Sequence, residues 1–488
     1  MSALGWLIAV IAIYILILIA IGYIGFKSTE ATVEDYYLGG RSLGWIVLTG
    51  TTIATYASMW TFLGAVGGNY RLGIAFVSMM MFWNILWPLM FWFLGTKVWL
   101  LGKKYNYITY SELVNDYYGS KVLGIIAAIF GILALLPYIA VQLMGGGIVI
   151  ETFTHGSISF AAGVIITFVF MVLFISLAGL KSVVWTDTFQ GIFFLSVMCG
   201  LAIFAVKLAG GFGQMFDKIE KIKPVLITHG KFGFGLWIGF VFTWGMAILL
   251  PHMFQRLMMA KDPRIIGKTT IASSILSGWV QSVPVFILGL ACVILFPGIS
   301  RKATDSLTVM FSTKYLSPPL AAIVIGGAFA AGTSTLNSQL LTASSLFLRD
   351  LIVSPFNLKL SPGKETFYGR IIVLLLGFLV ITIALSRPGL IVPISTAGTA
   401  ICISSYFYPL IGIVIWRRAD KLAAYASMLA AGITSILTWL VWKFPFGIYN
   451  VLWGFIVGGI FFFAFSLINT KGLTEKQREV ASLLSFED

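Results

Sequence analysis

The sequence predicts an all-α, polytopic membrane protein. Three observations carry that reading. Hydrophobic residues make up 59% of the 488-residue chain and charged residues only 10%, far from the balance of a soluble domain. Apolar runs of about twenty residues recur along its length. None of the runs alternates strictly, which excludes a β-barrel, so the backbone inside lipid must be satisfied within helices.

By the length criterion there are about thirteen spans, at roughly 4–26, 45–68, 74–102, 121–147, 159–180, 183–209, 233–257, 268–297, 319–350, 366–386, 389–416, 421–442 and 447–469. The first starts almost at Met1 and has neither a basic leader region nor a small-residue cleavage site, so it reads as a retained helix. The second, GWIVLTGTTIATYASMWTFLGAVGGNY, is filled with small and polar residues. Two readings fit it. It is a close-packing helix, or it is interrupted, with freed backbone facing protein or a cavity.

The sixth span opens KSVVWTDTFQG and carries Asp187 and Gln190 into the membrane. An intramembrane carboxylate marks a functional site by default; the plain alternative is an interfacial group paired with Lys181 or a helix cap with Thr186. In the seventh span Gly245 and Pro251 predict a bend. His252, beside Arg256 near its cytoplasmic end, is expected to make a structural hydrogen bond and not to relay protons.

The ninth span ends AGTSTLNSQLLTASSLFLRD. Ala331, Ser334, Thr335, Ser338, Thr342 and Ser345 are spaced to share one helical face. A hydroxyl stripe in lipid serves either close helix packing or a cation, since hard cations take oxygen ligands.

Outside the spans, no stretch is long enough to fold alone. The 298–318 segment reads as a short amphipathic interfacial helix, and the tail, with TEKQRE, as a polar, solvated helix. The net charge of +14 lies in loops and reads as membrane orientation, not nucleic-acid binding. With the N-terminus outside and the C-terminus cytoplasmic, twenty-one of the 32 basic residues fall inside, Arg41 and Arg256 among them. Five outside (Lys207, Lys218, Lys221, Lys223, Lys231) run against the trend. The three cysteines sit in apolar runs without metal or disulfide spacing. Three scattered histidines and no paired acids assemble no catalytic set, so the chain is not expected to be an enzyme. A polar stripe confined to one helix pair also argues against a channel pore.

Five segments together resemble the sodium/solute symporter family, whose members carry proline, pantothenate, monocarboxylates, sugars or sialic acid. They are YYLGGRSLG, TFLGAVGGNYRLG, GLKSVVWTDTFQG, PHMFQRLMMAKD and AGTSTLNSQLLTASSLFLRDL, in family order across nearly the whole chain. LPYIAVQLMGGG is most similar to the pantothenate and monocarboxylate carriers.

The resemblance implies the leucine-transporter-like five-plus-five inverted repeat with broken first helices. Residues 1–30 would be an additional helix, 45–210 the first repeat (spans two to six), 233–417 its inverted copy (spans seven to eleven), 421–470 two further helices, and 471–488 a cytoplasmic tail. It also implies a sodium site built from the carbonyls of Ala54, Ala57 and Ala331 and the hydroxyls of Ser334 and Thr335. Such neutral oxygens suit a monovalent ion, whereas a carboxylate cage would suit calcium. A second sodium site, found in some members, maps to Asp187, Ser334, Asn337 and Ser338, with Asn337 departing from the serine of those carriers. The solute pocket maps to Trp60, Thr61, Asn84, Tyr138, Gln142 and Trp244. Sugar carriers place a glutamate and a glutamine where Trp60 and Thr61 stand, which argues against a sugar.

The expected activity is therefore sodium-coupled import of a small organic solute, a carboxylate such as a monocarboxylate, pantothenate or an amino acid, by alternating access in the plasma (inner) membrane. Sodium is the coupling ion, no organic cofactor is expected, and a monomer is expected to suffice. The alternatives are proton coupling in the same fold, through Asp187, or a sodium-coupled sugar or sialic-acid carrier.

Overall fold

The computed structural model describes residues 2–27, 32–177, 180–230, 232–416, 418–468 and 472–485. Among them it is helical, with one isolated bridge between Leu43 and Ala260. In chain order the helices of eight residues or more are α1 (Ala3–Lys27), α2 (Trp45–Tyr56), α3 (Trp60–Leu72), α4 (Ile74–Phe93), α5 (Gly95–Tyr105), α6 (Tyr110–Tyr118), α7 (Lys121–Phe153), α8 (Phe160–Leu177), α9 (Leu180–Ala209), α10 (Phe212–Ile222), α11 (Phe234–Gly245), α12 (Pro251–Met258), α13 (Pro263–Leu295), α14 (Leu307–Tyr315), α15 (Pro318–Val353), α16 (Pro362–Leu385), α17 (Ile391–Trp416), α18 (Lys421–Leu440), α19 (Asn450–Ile468) and α20 (Glu475–Ser485).

Ten of these are long and apolar enough to cross a membrane, and α2 with α3 form an eleventh crossing bent by 62°. The two remaining expected spans are shorter helices. Span 159–180 is α8, and span 233–257 is α11 followed by α12.

The first helix of each expected repeat is broken, for different reasons. Between α11 and α12 the cause is local. Leu250 precedes Pro251 and is extended (φ −72°, ψ 129°), and Pro251 starts the next helix, as the steric demands of proline dictate. Between α2 and α3 there is no proline. Ala57 leaves the helix at ψ 126°, and tertiary partners hold it there.

Small residues bring the inner helices together. A Cβ on Gly50 would lie 2.6 Å from Thr188 of α9, on Gly145 2.6 Å from Met59, and on Gly332 2.8 Å from Met59. The LMGGG run of α7 is therefore a contact surface, with Gly146 against Thr167 and Gly147 against Phe160. Helix α1 is tied in by a buried polar knot: Gln190 Nε2 donates to Tyr14 Oη (2.5 Å) and to Thr333 Oγ1 (3.1 Å).

Three expectations are corrected. Helix α14 does not lie in the interface, because Leu307, Thr308, Val309, Phe311 and Ser312 are all buried in protein. The tail is docked, not solvated. Gln477, Val480 and Leu484 of α20 are buried, Lys476 bonds Asp116 (2.6 Å) and lies over the Tyr105 ring, and Lys104 bonds Glu479 (2.8 Å). Finally, Arg41 and Arg256 are not solvated charges, being 3% and 0% exposed; Arg41 is buried in the turn 39–41 and Arg256 in α12.

Gly73, between α3 and α4, has φ +55°, and a Cβ there would meet the Leu226 carbonyl oxygen at 2.0 Å. Gly119 has φ +61° with nothing within 4 Å. Gly119→Ala should cost only the left-handed conformation, roughly 1–2 kcal/mol. Gly73→Ala must also move backbone and should lower the melting temperature further in detergent. Equal shifts would refute the close approach.

Candidate functional site

In an unbroken helix the carbonyls of Ala54, Thr55 and Ala57 would accept from the N–H groups of Ser58, Met59 and Thr61. The break diverts two of these donors. Met59 N–H donates to Gln142 Oε1 of α7 (3.1 Å), and Thr61 N–H to the Ser58 carbonyl (2.9 Å). The freed carbonyls point at the hydroxyl stripe of α15.

Ser334 Oγ lies 2.8 Å from the Ala54 carbonyl, 3.0 Å from that of Ala330 and 3.2 Å from that of Ala331. Thr335 Oγ1 lies 3.1 Å from the carbonyls of Thr55, Ala57 and Ala331 and 3.4 Å from that of Ala54. All five oxygens assigned to the sodium site thus converge, and Thr55 joins them. The Ala330 and Ala331 carbonyls belong to the helix of the hydroxyls themselves, whereas those of Ala54, Thr55 and Ala57 are released by the break and have these two hydroxyls to face. A surplus of acceptors of this kind is what a cation can satisfy.

One turn further along α15 lies the second constellation. Asp187 Oδ2 accepts from Thr51 Oγ1 (2.7 Å), Arg256 Nη2 (3.0 Å) and Thr55 Oγ1 (3.5 Å). The same Arg256 Nη2 donates to Ser338 Oγ. Asp187 and Arg256 are both completely buried. Asn337 takes no part, its amide having no hydrogen-bond partner among the described residues. Asp187 is therefore neither a helix cap nor an interfacial group, and its partner is Arg256; the side chain of Lys181 lies outside the described residues. The His252 ring nitrogens, expected to form a structural hydrogen bond, have no such partner among the described residues. The ring packs on Tyr138 at 5.9 Å. Thr342 donates to Gln255 Oε1 (2.7 Å) and Gln255 Nε2 donates to Ser345 (2.9 Å), so this end of the stripe makes a helix-packing contact.

On the other side of the break, aromatic rings close a small central cavity of about 10 Å³ lined by Tyr56, Trp60, Thr61, Trp83, Tyr138, Trp244 and Gln281. That is room for about one water, so a solute must part the rings. Trp244 stands 5.5 Å from Trp60, 5.5 Å from Tyr138 and 5.9 Å from Tyr56. Four of the six expected solute contacts line this cavity. Gln142 is spent on holding the break, and Asn84 is turned to Ser282 of α13 (2.9 Å). Tyr56, Trp83 and Gln281 were missed. Gln281 Nε2 donates to Thr61 Oγ1 (3.0 Å), a pairing across 220 positions that no local pattern signals.

The two faces of the molecule differ. A cavity of about 740 Å³ opens on one, lined by Met144, Ile148 and Glu151 of α7, Arg301, Lys302 and Asp305, and Arg387, Leu390 and Pro393. Toward the other end of α7, Arg349 bonds Glu112 and Glu365 (2.7 Å each), and Arg41 bonds Glu34 (2.7 Å) and the Tyr107 carbonyl (2.8 Å).

Known proteins resemble this chain over most of its length. The sodium:solute symporter family matches residues 36–431. A sodium/pantothenate symporter of Escherichia coli K12 is 28% identical over 427 residues, 83% of this chain and 84% of the relative. The osmoregulated proline transporter OpuE of Bacillus subtilis is 25% identical over 491 residues, 92% of each chain. The fold is shared with a Na+-coupled sialic acid symporter in a substrate-bound outward-open state (TM-score 0.78, 16% identity, 96% of this chain and 99% of that one). It is also shared with a nucleobase-cation-symport-1 transporter (TM-score 0.59, 13% identity, 92% and 98%).

Gln142→Leu should leave the Met59 N–H buried and unpaired, at a cost of about 1–3 kcal/mol. The expected readout is a lower melting temperature in detergent; an unchanged one would mean that the break does not depend on this acceptor.

Proposed function

The chain belongs to the sodium:solute symporter family, a transporter and not an enzyme, and from that premise we propose how its own residues divide the work. Sodium binds the carbonyls of Ala54, Ala57 and Ala331 and the hydroxyls of Ser334 and Thr335, with the Thr55 carbonyl at the edge. The observation that carries this is the surplus of acceptors: three carbonyls released by the break, those of Ala54, Thr55 and Ala57, face two hydroxyls that also bond within their own helix, at 2.8–3.4 Å. No carboxylate lies among these ligands, which suits an ion released in every cycle.

The solute binds between the rings of Trp60, Tyr138, Trp244, Tyr56 and Trp83, with Thr61 and Gln281 as polar contacts. Few polar groups in an aromatic cavity fix orientation, while the rings exclude water. The solute class we propose is a small organic carboxylate. Pantothenate, proline and sialic acid, named for the relatives, all carry that group. No acidic side chain lines the cavity to repel it.

Residues 45–210 and 233–417 act as the two inverted repeats, and rocking between them exposes the site alternately. The 740 Å³ cavity faces outside and the Arg349–Glu112 closure faces the cytoplasm, which leaves the N-terminus outside and the C-terminus inside.

The test is thermal unfolding and uptake with a panel of carboxylates, amino acids and sugars, in sodium or choline. Bound ligand raises stability by mass action. Sodium should shift the wild type, and one carboxylate should add a further shift only in sodium. Ser334→Ala and Thr335→Val should each weaken apparent sodium affinity by about tenfold or more, the loss of one ion–oxygen contact of about 1.4 kcal/mol. Unchanged sodium dependence in both would refute the ion assignment, and a shift by sugars alone would refute the solute class.

A further inference from the structure

We propose that Arg256 is a tethered cation that fills a second ion position, so that this carrier binds one sodium per cycle and not two. The proposal rests on the sodium site placed at Ala54, Ala57, Ala331, Ser334 and Thr335. It concerns the neighbouring constellation at Asp187.

Asp187 and Ser338 offer the oxygens that a second cation would need, about 6 Å along α15 from Ser334. Both are already occupied by one atom. Arg256 Nη2 reaches Asp187 Oδ2 at 3.0 Å and also donates to Ser338 Oγ. The guanidinium is held in place from two further sides, with Nε donating to the Thr51 carbonyl (3.4 Å) and Nη1 to the His252 carbonyl (3.3 Å). Ser338 spends its own proton on the Ser334 carbonyl (2.8 Å). Pair and anchors thus join α2, α9, α12 and α15 in a fully buried position.

The charge count leads to the same conclusion. One carboxylate faces one guanidinium. A sodium ion added here would set two cations against a single carboxylate with no water to screen them. Arginine suits the role because it keeps its charge in settings that strip a lysine. Asn337, the remaining candidate ligand, is uncommitted and plays no part in the cluster. Asp187 Oδ1 also lacks a hydrogen-bond partner among the described residues, so it marks where a sodium would attach if the guanidinium were removed.

The experiment counts bound radioactive sodium on the purified full-length protein in detergent, which needs no knowledge of the solute. The wild type should bind one ion per chain with a single-site isotherm. Arg256→Gln should gain a second ion with a steeper isotherm, and adding Asp187→Asn should return the count to one. A wild type that binds two ions overturns the proposal, as does a folded Arg256→Gln that still binds one. If Arg256→Gln does not fold, the wild-type count alone decides. Ser334→Ala separates the two readings. Undiminished binding in that variant condemns the first site's assignment, whereas a wild-type count of two condemns the role given to Arg256.

Discussion

A helix broken inside a bilayer must find partners for every backbone group it frees, because lipid offers none and each unsatisfied group costs several kcal/mol. That constraint shapes the centre of this protein. Two of the donors released between Tyr56 and Thr61 are matched within the fold: Met59 N–H finds Gln142 and Thr61 N–H finds Ser58. The acceptors are not matched. The carbonyls of Ala54, Thr55 and Ala57 share two hydroxyls with the carbonyls of α15. The cluster is therefore short of donors, and a cation bound there as proposed would also fasten α2 to α15.

The buried pair beside it obeys the opposite logic, since one guanidinium already balances one carboxylate. Removing one partner of a buried ion pair costs about 3–5 kcal/mol, so Asp187 and Arg256 hold their helices together without a ligand. Thr55 links the two systems. Its carbonyl faces Thr335 at 3.1 Å, and its hydroxyl lies 3.3 Å from Ser338 and 3.5 Å from Asp187. Any shift of α2 that releases the ion also pulls on the pair.

The division between what could be read from the chain and what could not follows the range of each interaction. The hydroxyl stripe was legible because helical periodicity alone sets which residues share a face, and Ser334, Thr335 and Ser338 do share it. The bend at Pro251 was legible because proline acts on its immediate neighbours. The break at Ala57 could be suspected from composition but not located, since the acceptor that takes the Met59 N–H, Gln142, lies some eighty positions away. Arg256 was misplaced for a related reason. It stands near the end of an apolar run beside other basic residues, and only the packing of α2, α9 and α15 takes it out of water. Helix α20 misled because its apolar face, Val480 and Leu484, is small, and its docking depends on Asp116 and Glu479 meeting lysines of distant partners. Asn84 shows that a family position does not fix where a side chain turns; here Ser282 claims it.

The same break also places the ion and the aromatic box on one short piece of backbone. Tyr56 ends α2 and lines the box, Ala57 faces the ion cluster, and Trp60 begins α3 and lines the box again. Across from it Trp244 stands just before the second break, and its carbonyl accepts from Tyr56 Oη at 3.2 Å. Both broken helices thus meet at the cavity through their weakest points, where backbone torsions are free of helical hydrogen bonding. With space for about one water between the rings, a solute bound as proposed would have to move Tyr56, Trp60 or Trp244. A carrier that couples two ligands needs each to change the other's surroundings. On that proposal the coupling needs no long pathway, because Tyr56 lines the box while the Thr55 and Ala57 carbonyls on either side of it face the hydroxyls of α15.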